Sequence, residues 1–151
     1  MRIAATQYSA NYGALEVFIS GCDGVCGCDC HNRELWDFSF GEDYRSIIPK
    51  IEEKVKDFSS LIKEVWITGG EPLLQKEEEL VELLVEVKKT GKKMALFTRF
   101  DLEEIPEDIR EYFDKIKSGK YEEEKVCENH FSEGILLVSE NQKVFIRGRD
   151  Y

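Results

Sequence analysis

The alternation of apolar and polar positions along the chain predicts strands and helices that follow one another. Apolar runs of three to five residues, bounded by glycine or polar residues, are typical of buried strands. We predict such strands at 15–19, 65–68, 94–98, 135–138 and 144–146, with a weaker candidate at 115–117.

Apolar residues spaced three and four positions apart predict amphipathic helices. Two stripes of this kind occupy 47–62 and 80–87, and a short helix is predicted after Pro106. The polar stretch 118–134 has neither pattern and is predicted to be a long loop.

The predicted order of elements is strand, helix, strand, helix, strand, which favours right-handed crossovers and a mainly parallel sheet. A complete eight-stranded barrel needs about 250 residues, and this chain has 151. We therefore predict an α/β fold in which an open, partial β/α barrel of five or six strands forms a single domain over 1–151.

The charge balance excludes two classes of partner. The chain has 21 basic and 31 acidic residues, a net charge of −10, whereas nucleic acids and anionic lipids attract basic surfaces. No run approaches the roughly 20 apolar residues of a membrane span, and residues 1–10 do not resemble a signal peptide. We expect a cytoplasmic protein that binds neither nucleic acid nor membranes.

The cysteines carry the strongest chemical signal. Cys22, Cys26, Cys28 and Cys30 fall within nine residues, while the fifth, Cys127, stands alone. Disulfides between such close neighbours would close very small loops and add little stability. In a reducing compartment, clustered thiolates are more often ligands of a metal ion or an iron–sulfur cluster.

A glycine-bearing loop follows the second predicted strand. It contains Gly69, Gly70, Glu71 and Pro72. Loops that follow parallel strands meet at one edge of the sheet, so this loop and the cysteine-bearing segment 20–42, the cluster loop, should face a common pocket. Three thiolates could hold three irons of a [4Fe–4S] cluster and leave the fourth open to a substrate.

Two segments at this predicted edge resemble a known family. Residues 21–26 and 30–32, followed by Trp36, are similar to the cluster loop of the activating proteins of anaerobic (class III) ribonucleoside-triphosphate reductases, which belong to the radical S-adenosylmethionine (SAM) superfamily. The sequence TGGEPL at 68–73 resembles the loop with which that superfamily binds the amino group of SAM.

Two later segments, 114–121 and 139–144, also resemble motifs of these activating proteins. The resemblance implies a radical SAM activase, an oxidoreductase with no catalytic residues beyond its cluster ligands. A reduced [4Fe–4S] cluster would cleave SAM to methionine and a 5′-deoxyadenosyl radical, which would leave a glycyl radical on the large subunit of the reductase. The implied partners are this subunit and a flavodoxin-like electron donor.

The resemblance also implies a ligand set. The superfamily usually spaces its ligands as C-x3-C-x2-C, and that spacing would place the third cysteine where Asp29 stands. Alignment on the Cys-His-Asn segment instead makes Cys22, Cys26 and Cys30 the ligands, with one extra residue in the loop. We favour this set, with Cys28 as the alternative third ligand.

Contacts to SAM are implied near these ligands. Gly69, Gly70 and Glu71 would hold the amino group, mostly through backbone atoms. Thr98 and Asn141 are either neighbours of the ribose or adenine or residues with a structural role. The remaining candidate cofactor-binding residues are Thr68, Asp29 and His31.

Each ring-bearing side chain in and just after the cysteine segment has two possible roles. His31 is either a packing residue beside the cluster or an adenine contact. Trp36, Phe38 and Phe40 either cover the open side of the barrel or form a docking surface for the glycine-bearing loop of the partner.

Two alternative functions remain open. In the first, Cys26, Cys28, Cys30 and His31 bind zinc in a non-catalytic module, which a metal and sulfide analysis would distinguish. In the second, the chain is a radical SAM enzyme that acts on a small molecule such as a deazapurine precursor. An activase, unlike that enzyme, would form deoxyadenosine faster when its protein target is present.

Overall fold

The structure is a computed structural model that describes residues 1–26, 30 and 32–151. Within these residues it contains nine strands and three helices. The strands are β1 (Arg2–Ser9), β2 (Ala14–Ser20), β3 (Glu42–Asp43), β4 (Glu64–Gly69), β5 (Lys93–Phe97), β6 (Lys115–Ser118), β7 (Val126–Ser132), β8 (Ile135–Ser139) and β9 (Lys143–Ile146). The helices are α1 (Tyr44–Asp57), α2 (Glu77–Lys89) and α3 (Glu107–Arg110). No helix in the described part of the chain is long and apolar enough to cross a membrane.

Seven of the strands form one mixed sheet in the order β3-β1-β2-β4-β5-β6-β9. The four central strands, β2, β4, β5 and β6, run parallel to one another. The outer strands are antiparallel to their neighbours. Strands β7 and β8 pair separately as a two-stranded antiparallel sheet.

The predicted fold class, a partial β/α barrel with a mainly parallel sheet, is therefore wrong. Half of the neighbouring strand pairs in the large sheet are antiparallel. The described chain is mostly sheet, with only three helices, one of which has four residues. The predicted order of strand, helix, strand, helix, strand accounts for the parallel pairing of β2, β4 and β5, but it gave no information on strands that join by hairpins or from the end of the chain.

Strand β1 was missed because the apolar run in its sequence, RIAATQYS, is only Ile3-Ala4-Ala5 and consists mostly of small residues. Ile3 is the residue of this strand that is fully buried. The strand is held instead by a long hairpin with β2, whose register runs from Arg2 opposite Ser20 to Ser9 opposite Ala14.

The prediction of a long loop over 118–134 is also wrong, because this stretch contains β7. Its side chains are exposed or half-buried along the whole strand, so it has no hydrophobic pattern of its own. Its hydrogen-bonded neighbour β8, in which buried and exposed residues alternate, determines its position.

The two faces of the large sheet are covered by different elements. Val65 and Ile67 of β4 point toward the helices and join the main core, while Trp66 between them joins a smaller core beneath the β7–β8 hairpin. Helix α1 buries Ile47, Ile51 and Val55, and α2 buries Leu80, Leu83, Leu84 and Val87. Each fully buried side chain of this size contributes about 1.5–3 kcal/mol. The sheet is therefore the middle layer of three, and the ends of its parallel strands lie between helices and hairpin.

Candidate iron–sulfur site

The segments that follow the parallel strands line one cavity of about 200 Å³. The cluster loop follows β2, the Gly69–Gly70 loop ends β4, Thr98 follows β5, and Gly119 follows β6. The predicted meeting of the cluster loop and the glycine-bearing loop at a common pocket is confirmed. Val138 and Gln142, from the segment that leads through β8 to β9, close another side.

Among the described residues, three free cysteines line this cavity. Cys22, Cys26 and Cys30 are half-buried. Cys127, also half-buried, lies on β7 and is not among the residues that line the cavity in the described part of the chain. Cys28 lies outside the described residues, so the choice between Cys28 and Cys30 stays a prediction.

The donor set fits an iron–sulfur cluster. Thiolates are the ligands that hold iron–sulfur clusters. In the residues that the structure describes, no three His, Cys, Asp or Glu side chains converge on one point where they could hold a single ion. Cluster ligands need not converge in this way, because each thiolate binds a different iron. Burial raises the pKa of Cys22, so its metal-free thiol is protonated at neutral pH.

Backbone hydrogen bonds hold the two ends of the cluster loop together. Gly21 N donates to Leu35 O at 2.7 Å, and Cys22 N donates to Trp36 O at 3.2 Å. The Trp36 ring borders the cavity, and its Nε1 is buried without a hydrogen-bond partner among the described residues. The wall of the cavity beside the thiols therefore contains a hydrogen-bond donor that has no partner among the described residues.

Close packing explains why two glycines end β4. Gly69 has a φ of +116°, and a Cβ there would overlap the backbone of Ile19. The φ of Gly70 lies outside the left-handed region, but its Cβ would lie 2.5 Å from Gly21 O. Gly70 N donates to Ile19 O at 2.7 Å, and Glu71 N donates to Gly21 O at 2.9 Å. The loop after β4 and the start of the cluster loop are thus in direct backbone contact.

The carboxylate of Glu71 is buried and bonded within the protein. It is 1% exposed and accepts hydrogen bonds from Leu73 N at 3.1 Å, Thr98 Oγ1 at 2.8 Å and Arg99 N at 2.9 Å. Desolvation raises its pKa, and these hydrogen bonds counteract part of that rise. The side chain of Glu71 therefore joins the end of β4 to the end of β5.

The other predicted cofactor-binding residues fall into three groups. Thr68 and Thr98 line the cavity with Gly69, Gly70 and Glu71. Asn141 lines an adjacent cavity, where its Nδ2 donates to Lys120 O at 2.9 Å and its Oδ1 is buried without a partner among the described residues. Asp29 and His31 lie outside the described residues.

Three cationic residues that line the cavity, Arg99, Lys117 and Lys120, were not among the predicted site residues. Lys117 lines the cavity, and its Nζ donates to Gly119 O at 3.1 Å. Burial lowers the pKa of Lys117 to about 8, although the charges of Cys26 and Glu71 act in the opposite direction. Arg99 forms an ion pair with Asp23 of the cluster loop, with Nη2 and Oδ2 2.7 Å apart. The segment 114–121 had signalled Lys117 without giving it a role, and nothing in the sequence signalled Arg99.

A cavity lined by free thiols at the ends of parallel strands defines an iron–sulfur protein. A family model described as a 4Fe-4S single cluster domain matches residues 13–145. This match covers most of the chain, and the protein belongs to that family. No curated protein matches the chain. The predicted [4Fe–4S] cofactor is confirmed at the level of the family.

Proposed function

We propose that this iron–sulfur protein is a radical SAM activase that generates a glycyl radical on an anaerobic ribonucleotide reductase. The observation that carries the proposal is the cavity itself, which three free cysteines of the described chain line together with the Gly69–Gly70 loop. The order of the four segments that resemble the activating proteins supports the same function.

The cysteines would hold the cluster. Cys22, Cys26 and Cys30 would each bind one iron, with Cys28 as the alternative to Cys30. When bound, the cluster would supply the electron that cleaves SAM, and the product radical would take a hydrogen atom from a glycine of the reductase. The chain contributes ligands, orientation and shielding from water.

The opposite wall would orient SAM. Backbone atoms of Gly69, Gly70 and Glu71 are available for its amino group, because the Glu71 side chain is engaged elsewhere. Lys117, one of the cationic residues that line the cavity, would attract the carboxylate of SAM. The hydroxyl of Thr98 donates to Glu71, so Thr98 would support this wall and would not form a hydrogen bond to SAM.

The partner would approach beside the cluster loop. Phe38 and Phe40 are 50% and 48% exposed, and Val25 is 55% exposed. Apolar side chains exposed together beside a site are typical of interaction surfaces. We propose that this surface receives the glycine-bearing loop of the reductase large subunit, and that a flavodoxin-like protein reduces the cluster.

The test is SAM cleavage by the reconstituted protein with and without the reductase. We expect deoxyadenosine to form in the wild type, to form faster when the large subunit is added, and to be absent in Cys26→Ala. Cys127→Ala is the matched control, because this thiol lies outside the described cavity lining, and it should retain activity.

Three results would contradict the proposal. One zinc without sulfide would favour the non-catalytic module. A loaded cluster without any deoxyadenosine would leave a cluster protein of another function. Deoxyadenosine formation that a small molecule stimulates and the reductase does not would favour the small-molecule enzyme.

A further inference from the structure

Arg99 connects three segments at the edge that holds the cavity. Its backbone N donates to Glu71 Oε2 at 2.9 Å, which joins it to the loop after β4. Its guanidinium Nη2 donates to Asp23 Oδ2 at 2.7 Å, which joins it to the cluster loop. Because Arg99 itself follows the end of β5, one residue links two strand ends to the loop that carries the cysteines.

This ion pair is better shielded than an ordinary surface pair. The side chain of Arg99 is 18% exposed, and its guanidinium lies over the ring of Phe100, 4.4 Å from the ring centroid. The side chain of Asp23 is 42% exposed. Fully exposed ion pairs contribute little because water screens them and mobile side chains lose entropy. Here the ring of Phe100 limits the freedom of the cation, so its position is defined before the pair forms.

Asp23 lies in the sequence between Cys22 and Cys26, two of the predicted cluster ligands. Asp23 Oδ1 accepts a hydrogen bond from Val25 N at 3.3 Å and lies 3.8 Å from Cys22 Sγ. The carboxylate thus stabilises the turn that leads from Cys22 to Cys26, while its other oxygen holds Arg99. Movement of Asp23 would move both cysteines.

We propose that Asp23 and Arg99 are positioning residues that fasten the first half of the cluster loop to the end of β5 and keep a neutralised charge pair beside the cluster. The inference rests on the part of the proposed function that makes Cys22 and Cys26 cluster ligands. It does not require SAM cleavage.

The two charges of the pair should affect the reduction potential of the cluster, and a purely structural role would not. Reduction adds negative charge to a cluster, and its potential depends on nearby charge. Arg99→Gln leaves the Asp23 carboxylate unpaired and should lower the reduction potential. Asp23→Asn leaves the guanidinium unpaired and should raise it. The double variant should return the potential toward the wild-type value.

The first experiment is a redox titration of the reconstituted proteins without SAM. Matched controls are Arg45→Gln and Glu82→Gln, which remove the partners of an exposed ion pair between α1 and α2, 2.9 Å apart, and change the net charge by the same amounts. Shifts of opposite sign in the two single variants, larger than in the controls, would support the proposal. Shifts of the same sign, or shifts no larger than those of the controls, would overturn it.

The second experiment uses the metal-free protein, so that it does not depend on cluster loading. Amide hydrogen exchange at Val25 should be several-fold faster in Asp23→Ala than in the wild type, because the amide then has no side-chain acceptor. Exchange at Val25 should also be faster in Arg99→Gln, in which the Asp23 carboxylate is still present but the guanidinium no longer holds it in position. Unchanged exchange in Arg99→Gln would overturn the positioning role.

A conservative variant separates charge from geometry. Arg99→Lys retains the cation and should keep a potential close to that of the wild type, and a shift as large as that of Arg99→Gln would contradict the electrostatic part. Failure of the proposed function is distinguishable, because absence of deoxyadenosine in the wild type leaves every one of these measurements intact.

Discussion

Gly70→Ala tests the close contact between the loop after β4 and the cluster loop. The φ of Gly70 lies outside the left-handed region, so the substitution acts through the space that the new Cβ needs. The new Cβ would lie 2.5 Å from Gly21 O and 2.9 Å from Leu35 O, both below the 3.0 Å that real Cβ atoms respect. Gly21 and Leu35 are hydrogen-bonded to each other, so the cluster loop must move as a unit.

The size of the effect follows from the cost of overpacking. Insertion of one methyl group into a rigid contact costs about 1–3 kcal/mol, and each 1 kcal/mol lowers the Tm of a domain of this size by about 2–4 °C. The displaced loop should also bind less iron after reconstitution. Thermal unfolding followed by circular dichroism and an iron determination measure the two effects.

Gly91→Ala is the matched control for this prediction. A Cβ at Gly91 meets nothing within 4 Å, but its φ of +71° strains an alanine. That strain costs about 1 kcal/mol, so this variant should lose stability while its iron content stays at the wild-type level. Full iron loading and an unchanged Tm in Gly70→Ala would refute the reasoning.

Three further predictions concern the cavity wall and the ligands. Glu71→Ala leaves two part-buried backbone N–H groups and the buried Thr98 hydroxyl without an acceptor and should lower the free energy of unfolding by about 2–5 kcal/mol in urea titrations; a change below about 0.5 kcal/mol would contradict this. Because burial lowers the pKa of Lys117 to about 8, the unfolded state binds more protons between about pH 8 and the ordinary lysine pKa near 10.4, and stability should rise with pH across this window. We therefore compare the free energies of unfolding of metal-free Lys117→Met and of the metal-free wild type. The value for the variant minus the value for the wild type should fall by up to about 3 kcal/mol as the pH rises through this window, and a constant difference would refute the lowered pKa of Lys117. Cys30→Ala should abolish iron binding and Cys28→Ala should retain it; the opposite result would reassign the third ligand.

Periodicity predicted the elements that are packed against the helices. The apolar runs of β2, β4 and β5 are continuous because both faces of these strands are covered. The apolar stripe of α1 extended the prediction to residue 62, whereas the helix ends at Asp57, and the later residues Phe58 and Leu61 are 53% and 51% exposed.

The strands that were not predicted are those whose positions depend on a neighbouring strand. Strands β1 and β7 present mixed or exposed side chains, and hydrogen bonds to β2 and β8 determine their positions. Such pairing depends on long-range register, which a local pattern does not contain.

The common cavity was predictable because parallel strands carry their following loops to one edge. The side-chain connections within it were not. Asp23 and Arg99 are 76 positions apart, and no periodicity relates them. Glu71 was predicted at the cavity, but only the fold shows that its carboxylate is occupied by Thr98 and Arg99.

The most direct measurement of the proposed function is electron paramagnetic resonance of the reductase large subunit after anaerobic incubation with the reconstituted, reduced protein and SAM. We expect a glycyl-radical signal on the large subunit, with deoxyadenosine formed alongside it, and neither when Cys26→Ala replaces the wild type. A fully loaded, reducible cluster that leaves the large subunit without a radical would contradict it.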